Sequence, residues 1–195
     1  MGLAGARVCL LVAVASAARA QSGAFSLPLE KHAHEFSITS GGAMDLPGGT
    51  RGGEYLGIQV RMGRVLFSSV GTRPFRGSLE TAMEFEPVVL IRQQGAIYGV
   101  GAVPTMLQWN FESGGKVVPY INVGSGMLLT SEKFPRGASH FNFTPQGGFG
   151  AYWFRSSQRA WIFGVRYHHI SNAGMTKYNP GHNALYFHTG IAWWK

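Results

Sequence analysis

This chain has little cysteine, little charge and no long apolar run. Cys9 is its single cysteine among 195 residues, and it lies in an N-terminal stretch that we expect to be removed. The remaining chain then has no thiol chemistry, no disulfide and no cysteine-type zinc site. No segment reaches about eighteen uninterrupted apolar residues, which argues against a transmembrane helix. HExxH and Cys/His spacings are missing too, so we expect neither a metal nor a cofactor.

The N-terminus resembles an export signal. Arg7 precedes an apolar run from Val8 to Ala15, and Ala18-Arg19-Ala20 follows as a small-x-small cleavage sequence. This order is typical of a secretory signal peptide. We therefore expect residues 1–20 to be removed and residues 21–195 to form one domain.

The composition favours a membrane β-protein with an anionic partner. Only 13% of the residues are charged, compared with about 25% in typical soluble domains. The 17 Lys and Arg residues nevertheless outnumber 9 Asp and Glu. Because export removes the chain from nucleic acid, we expect no nucleic-acid partner, and lipopolysaccharide and outer-membrane lipids fit the positive charge better.

Strand signals recur along the chain, whereas helical periodicity is scarce because the 28 glycines interrupt it. Turn-like stretches such as residues 46–49, 112–115 and 156–158 separate the strand segments. The predicted strands span residues 34–43, 54–66, 77–92, 97–111, 117–130, 141–155, 159–171 and 184–194. Pro87 within the third indicates a bulge or the end of that strand. Eight such segments predict an all-β, eight-stranded antiparallel up-and-down transmembrane β-barrel.

Alternation within the strands distinguishes a membrane barrel from a soluble, lipocalin-like one. In the seventh strand Trp161, Phe163 and Val165 alternate with small or charged residues. An outer-membrane barrel turns such an apolar face toward lipid and keeps the polar face inside. We therefore predict an outer-membrane location. A charged lumen network is expected from Glu80, Glu84, Glu86, Arg61 and Arg166.

The histidines divide by position. His168 and His188 fall on the inward face of their predicted strands, so we expect them in the lumen. The others outside the seventh strand are interpreted as terminal or loop residues, namely His32, His34, His140 and His182.

A candidate catalytic group lies at the end of the seventh strand. His169 and Ser171 are two residues apart and therefore share one face of an extended chain. A histidine that is oriented by a third group is the usual base for a serine nucleophile. Asn183 opens the eighth strand on the same outward parity and is the candidate orienting group. The amide-rich loop of residues 172–181 offers oxyanion donors.

Two stretches in this region resemble the PagL-type lipid A 3-O-deacylases. They are residues 169–174, HISNAG, and residues 179–183, NPGHN. The resemblance implies an eight-stranded outer-membrane barrel that hydrolyses an ester-linked acyl chain of lipid A with a Ser-His-Glu triad on its outer face. By this resemblance Ser171 is the nucleophile and His169 the base. Asn172, the backbone of Ala173 and Asn179 then correspond to oxyanion-hole elements.

One position departs from the family pattern. Asn183 stands where the acidic triad member is expected, and no Asp or Glu occurs from Asn172 to Lys195. An amide orients a histidine but does not supply a full negative charge, so slower turnover is expected. The alternative function is a non-enzymatic barrel with a structural or ligand-binding role. A homodimer is a further partner that the sequence leaves open.

If the N-terminus lies in the periplasm, the seventh strand ends outside the cell. The candidate group then lies at the depth of the outer leaflet, where lipid A resides. Lys177, in the following loop, is a candidate contact for its phosphates.

Overall fold

A computed structural model describes residues 27–195, and the expected signal peptide lies outside them. The described chain forms eight strands that pair in sequence order and close into one antiparallel barrel. The strands are β1 His34–Asp45, β2 Glu54–Val70, β3 Gly77–Arg92, β4 Ala96–Phe111, β5 Val117–Thr130, β6 Phe141–Ser156, β7 Arg159–Ile170 and β8 His182–Trp194. The predicted fold class is confirmed.

The strand ends differ only slightly from prediction. β2 continues to Val70, and β8 begins at His182 rather than at residue 184. Ser171 lies one residue beyond β7 and forms an isolated bridge with Phe143 of β6. Pro87 does not end β3; the β3–β4 register shifts between Glu86 and Val89, so the proline lies in a bulge.

Large apolar side chains cover the outside of the barrel. Leu56, Val123, Phe149 and Phe163 are among those exposed. Their inward-facing neighbours along the strands are glycine, polar residues and buried aromatics, which follows from the two-residue period of a strand. An apolar exterior around a polar, closed barrel is the architecture of a transmembrane β-barrel. Closure pairs the backbone groups of every strand, as hydrocarbon requires.

No helix within residues 27–195 is long and apolar enough to span a membrane.

The predicted charged network is present in the lumen, with one correction. Arg166 binds both carboxylate oxygens of Glu84 at 2.6 and 2.7 Å. Arg61 lies 2.7 Å from Glu80. Glu86 instead accepts a hydrogen bond of 2.6 Å from the amide of Gln59. It was expected to pair with an arginine; its hydrogen-bond partner is this amide instead, and the β3–β4 register shifts directly after it.

The lumen contains one further acid that was not predicted. The carboxylate of Glu35, on β1, lies 3.3 Å from the guanidinium of Arg61 and is buried. His168 and His188 are buried in the lumen, as predicted. Buried charges of opposite sign lie close together in the lumen, and their attraction offsets part of the cost of removing them from water.

Candidate active site

His169 and Asn183 lie directly opposite each other where β7 and β8 pair. The odd-numbered residues of both strands point outward, so these two side chains face the outside of the barrel at its rim. His169 Nδ1 is 2.6 Å from Asn183 Oδ1. The structure thus brings together two of the predicted site residues.

The hydrogen bond to Asn183 indicates which ring nitrogen of His169 carries the proton. An amide oxygen only accepts, so His169 Nδ1 donates to Asn183 Oδ1 and must carry the proton. In the neutral ring Nε2 then keeps its lone pair, which is the form that a general base requires.

Because Gly181 has no side chain, it leaves space for the imidazole ring of His169. It has a φ of +66°, and a Cβ built on it would lie 3.0 Å from Cε1 of His169. Both the backbone conformation and the space therefore favour glycine at this position.

Ser171 follows His169 by two residues and lies just beyond the last residue of β7. Its backbone N–H donates to Phe143 O at 3.1 Å, and its carbonyl accepts from Phe143 N at 2.8 Å. The residue is 9% exposed. Within residues 27–195 no hydrogen bond joins Ser171 to His169, so the expected contact is not formed in this structure. Such bonds are often long in unliganded enzymes and shorten when substrate binds.

The chain turns sharply after Ser171. Ala173 and Gly174 have φ values of 52° and 80°, and Met175 N donates to Asn172 O at 3.0 Å. Positive φ at both central positions is typical of a type I′ turn. Ala173 is the non-glycine member of this pair, and its conformation is one that L residues seldom adopt.

Asn172 holds this loop together from within. Its side chain is fully buried, and its amide donates to Thr176 Oγ1 at 2.7 Å and to Tyr178 O at 3.1 Å. Its Oδ1 accepts from Gly174 N at 2.9 Å. Its own backbone N–H donates to Asn179 Oδ1 at 3.1 Å. Both amide protons of Asn172 are thereby engaged inside the loop.

The loop between β1 and β2 packs against the start of β8 and fixes the position of Asn183. Leu46 N donates to Asn183 O at 2.8 Å. Thr50 N donates to Gly181 O at 2.9 Å. Asn183 Nδ2 donates to Pro47 O at 3.4 Å. Two neighbouring loops therefore meet at the candidate site.

His182 was interpreted as a loop residue, and that interpretation is wrong. It is the first residue of β8 and is buried inside the rim. Its Nδ1 donates to Thr50 O at 3.0 Å, and its Nε2 lies 3.6 Å from the carboxylate of Asp45. The packing of the β1–β2 loop over the barrel mouth buries it.

Tyr167 is a further neighbour of Asn183 that was not predicted. Its hydroxyl donates to Asn183 Oδ1 at 2.8 Å, so this oxygen receives two hydrogen bonds. Tyr167 stands two residues before His169 and shares its face, which was a signal for its proximity. Tyr167 also continues the outward series of Trp161, Phe163 and Val165, which by itself favours a lipid-facing side chain.

Within residues 27–195 no cluster of three or more His, Cys, Asp or Glu side chains is arranged to hold a metal ion. The rim holds an imidazole whose Nδ1–H has an acceptor and, two residues further along the chain, a serine hydroxyl. These are the two groups that serine esterases use.

The sequence model of the lipid A 3-O-deacylase (PagL) family matches residues 69–192. The chain belongs to this family. The match covers β3 to β7, most of β8 and the last two residues of β2, and it includes His169, Ser171 and Asn183. No curated protein sequence matches the chain.

Solved structures share the barrel. The outer membrane enzyme PagL is 20% identical with a TM-score of 0.55, and the match covers 80% of this chain and 97% of that one. The N-terminal β-barrel domain of OprF from Pseudomonas aeruginosa is 9% identical with a TM-score of 0.51, covering 85% and 98%. OprG from the same organism is 12% identical with a TM-score of 0.50, covering 87% and 99%.

The closed barrel and its apolar exterior place this family member in an outer membrane. The homodimer considered from the sequence stays a prediction.

Proposed function

We propose that this protein is an outer-membrane serine esterase that removes the ester-linked acyl chain from the 3-position of lipid A. Ser171 is the nucleophile, His169 the general base and Asn183 the orienting residue. The observation that carries the proposal is the 2.6 Å hydrogen bond between His169 Nδ1 and Asn183 Oδ1. Family membership supports the same substrate.

The reaction follows from the protonation state of His169. Its Nε2 takes the proton of the Ser171 hydroxyl while Oγ forms a bond to the acyl carbonyl carbon. The imidazolium then returns this proton to the departing sugar oxygen, and an acyl-serine remains. Water attacks the acyl carbon while His169 accepts its proton; the imidazolium then gives this proton to the departing Oγ, so the fatty acid leaves and the hydroxyl of Ser171 is restored.

The loop after Ser171 supplies the oxyanion donors in this proposal. The N–H of Ala173 and the exposed amide of Asn179 are the candidates. Asn172, which the family resemblance assigns to the same role, would act by holding the loop, because its amide protons already bind Thr176 and Tyr178. Donors fixed before the reaction stabilise developing negative charge at little reorganisation cost.

The outward position of the site suits a substrate that already lies in the leaflet. Phe143, which is bridged to Ser171, and Val165, four residues before His169 on β7, both point outward, so an acyl chain reaches the site along an apolar surface. Lys177 is exposed in the β7–β8 loop and is the proposed contact for a phosphate of lipopolysaccharide.

The test is to incubate the refolded protein with lipopolysaccharide in detergent and to analyse lipid A by mass spectrometry. The wild type should release one acyl chain, and Ser171→Ala and His169→Ala should release none above background. Ser40→Ala is the matched control, because Ser40 is an exposed serine on the outward face of β1; it should keep wild-type activity. Asn183→Glu, which supplies the family's acidic residue, should raise the rate.

The alternative is a barrel without enzymatic activity. It is favoured by the missing hydrogen bond between Ser171 and His169 and by the burial of Ser171. If no acyl chain is released by wild type or by Asn183→Glu, while both proteins are folded, the esterase proposal fails and this alternative stands.

A further inference from the structure

Tyr167 shares its hydrogen-bond acceptor with the proposed catalytic histidine. The phenol hydroxyl donates to Asn183 Oδ1 at 2.8 Å, and His169 Nδ1 donates to the same atom at 2.6 Å. On the other side of this amide, Nδ2 donates to the carbonyl of Pro47 at 3.4 Å. Oδ1 of Asn183 thus accepts from two donors, and Nδ2 donates to one acceptor.

An amide at this position poses a problem that a carboxylate does not. Both oxygens of a carboxylate accept, so either one orients a histidine through Nδ1–H. An asparagine that turned its Nδ2 toward His169 would instead require a lone pair on Nδ1. The proton of the neutral ring would then lie on Nε2, so Nε2 would have no lone pair to accept the proton of Ser171.

Two neighbours select the productive orientation. The Pro47 carbonyl only accepts, so it favours Nδ2 on its own side. The Tyr167 hydroxyl donates to Oδ1 and favours the oxygen on the side of His169. Two donors on one oxygen account for both of its lone pairs, which leaves this oxygen fully satisfied while Asn183 is 8% exposed.

We propose that Tyr167 is a positioning residue that acts through Asn183. It holds the amide so that His169 keeps its proton on Nδ1 and its lone pair on Nε2. The need for it arises because an amide stands where the family's acid is expected. The inference rests on the proposed function for its catalytic consequence, but the state of the imidazole can be observed without any turnover.

The competing explanation is that Tyr167 is an interfacial aromatic residue. Its side chain is 44% exposed on the lipid-facing side near the rim, where tyrosines commonly lie. Tyr98 provides the matched control, since it is near the same rim, on β4, and is 62% exposed. A purely interfacial role predicts the same behaviour from Tyr167→Phe and Tyr98→Phe.

The decisive measurement is the ¹⁵N spectrum of the histidine rings in the refolded, detergent-solubilised protein. Ring nitrogens with and without a proton have well-separated shifts, and His169→Gln identifies the signals of interest. In wild type and in Tyr98→Phe, His169 should show a protonated Nδ1 and an unprotonated Nε2. In Tyr167→Phe, a mixture of the two tautomers should appear.

Activity provides a second measurement. Tyr167→Phe should lower kcat about 3- to 10-fold with KM unchanged, as expected for one lost hydrogen bond. In the Asn183→Glu background the same change should have a smaller effect on kcat, because either oxygen of a carboxylate accepts from His169 Nδ1–H. Tyr98→Phe should leave kcat unchanged in both backgrounds.

An unchanged His169 spectrum in Tyr167→Phe, in protein whose barrel is folded, overturns the proposal. This holds whether or not the wild type hydrolyses lipid A, so failure of the positioning role and failure of the esterase function are distinguishable.

Discussion

Exchange of Asn183 for Asp changes the charge of the candidate site with little change of shape. Oδ1 still accepts from His169 and Tyr167, which are 2.6 and 2.8 Å away. The new oxygen replaces Nδ2 and faces the carbonyl of Pro47, where a hydrogen bond of 3.4 Å is lost. A full negative charge now faces the imidazolium that forms when His169 takes the serine proton.

The size of the effect follows from these distances. Two unit charges about 4 Å apart attract each other by about 1 kcal/mol in water and by about 4 kcal/mol at the effective dielectric constant of a protein surface. Asn183 is 8% exposed and His169 is half-buried, so the attraction lies nearer the larger value. The lost hydrogen bond to Pro47 and the new repulsion there subtract about 1 to 2 kcal/mol. A net gain of about 2 kcal/mol corresponds to a roughly 30-fold increase in kcat.

The assay is the initial rate of fatty-acid release from purified lipid A in detergent, at fixed pH and saturating substrate. Gln94→Glu is the control, because it makes the same amide-to-acid exchange in an exposed loop at the same rim; its rate should stay at the wild-type level. Asn183→Ala should be slower than wild type. If Asn183→Asp is no faster than Gln94→Glu and Asn183→Ala retains the wild-type rate, Asn183 does not orient His169.

Two further substitutions test the surroundings of the site and the lumen. Gly181→Ala should lower kcat at least tenfold, because the added Cβ would come 3.0 Å from His169 Cε1 and the residue has a φ of +66°; Gly114→Ala, with a φ of +68° and open space around it, should leave kcat unchanged. Arg166→Met should destabilise the barrel by about 3 to 5 kcal/mol in urea unfolding, since it leaves the buried carboxylate of Glu84 without its two-pronged partner.

An exposed ion pair serves as the comparison for the lumen. Arg76 and Glu112 lie 2.6 Å apart near the opposite rim, with side chains 44% and 37% exposed. Arg76→Met should cost at most about 1 kcal/mol. Equal losses of stability for Arg76→Met and Arg166→Met would contradict the assignment of Glu84 and Arg166 to a buried network.

The strands were predictable because their signal is local. Apolar residues at every second position assign a face within one strand, and glycine-rich turns separate one strand from the next. The same period places His169 and Ser171 on one face and identifies Asn183 as outward-facing on the next strand. Where two neighbouring antiparallel strands meet, this is enough to expect the contact between His169 and Asn183.

The contacts of the loops could not be predicted, because their partners lie far away along the chain. The buried His182 contacts Thr50 of the β1–β2 loop and Asp45 at the end of β1, both more than 130 residues before it. The same loop brings Pro47 to Asn183. No periodic pattern encodes how such a loop folds over the barrel mouth.

The sequence by itself determined the barrel, its polar lumen and its lipid-facing surface, because strand alternation and turn chemistry act over a few residues. It also determined which residues are available for chemistry at the rim. Only the closed structure decided that Glu86 binds Gln59, that Asn172 is engaged within its own loop, and that Tyr167 and His169 share one oxygen of Asn183. These contacts depend on strand register, bulges and loop packing, which are settled when all eight strands are paired.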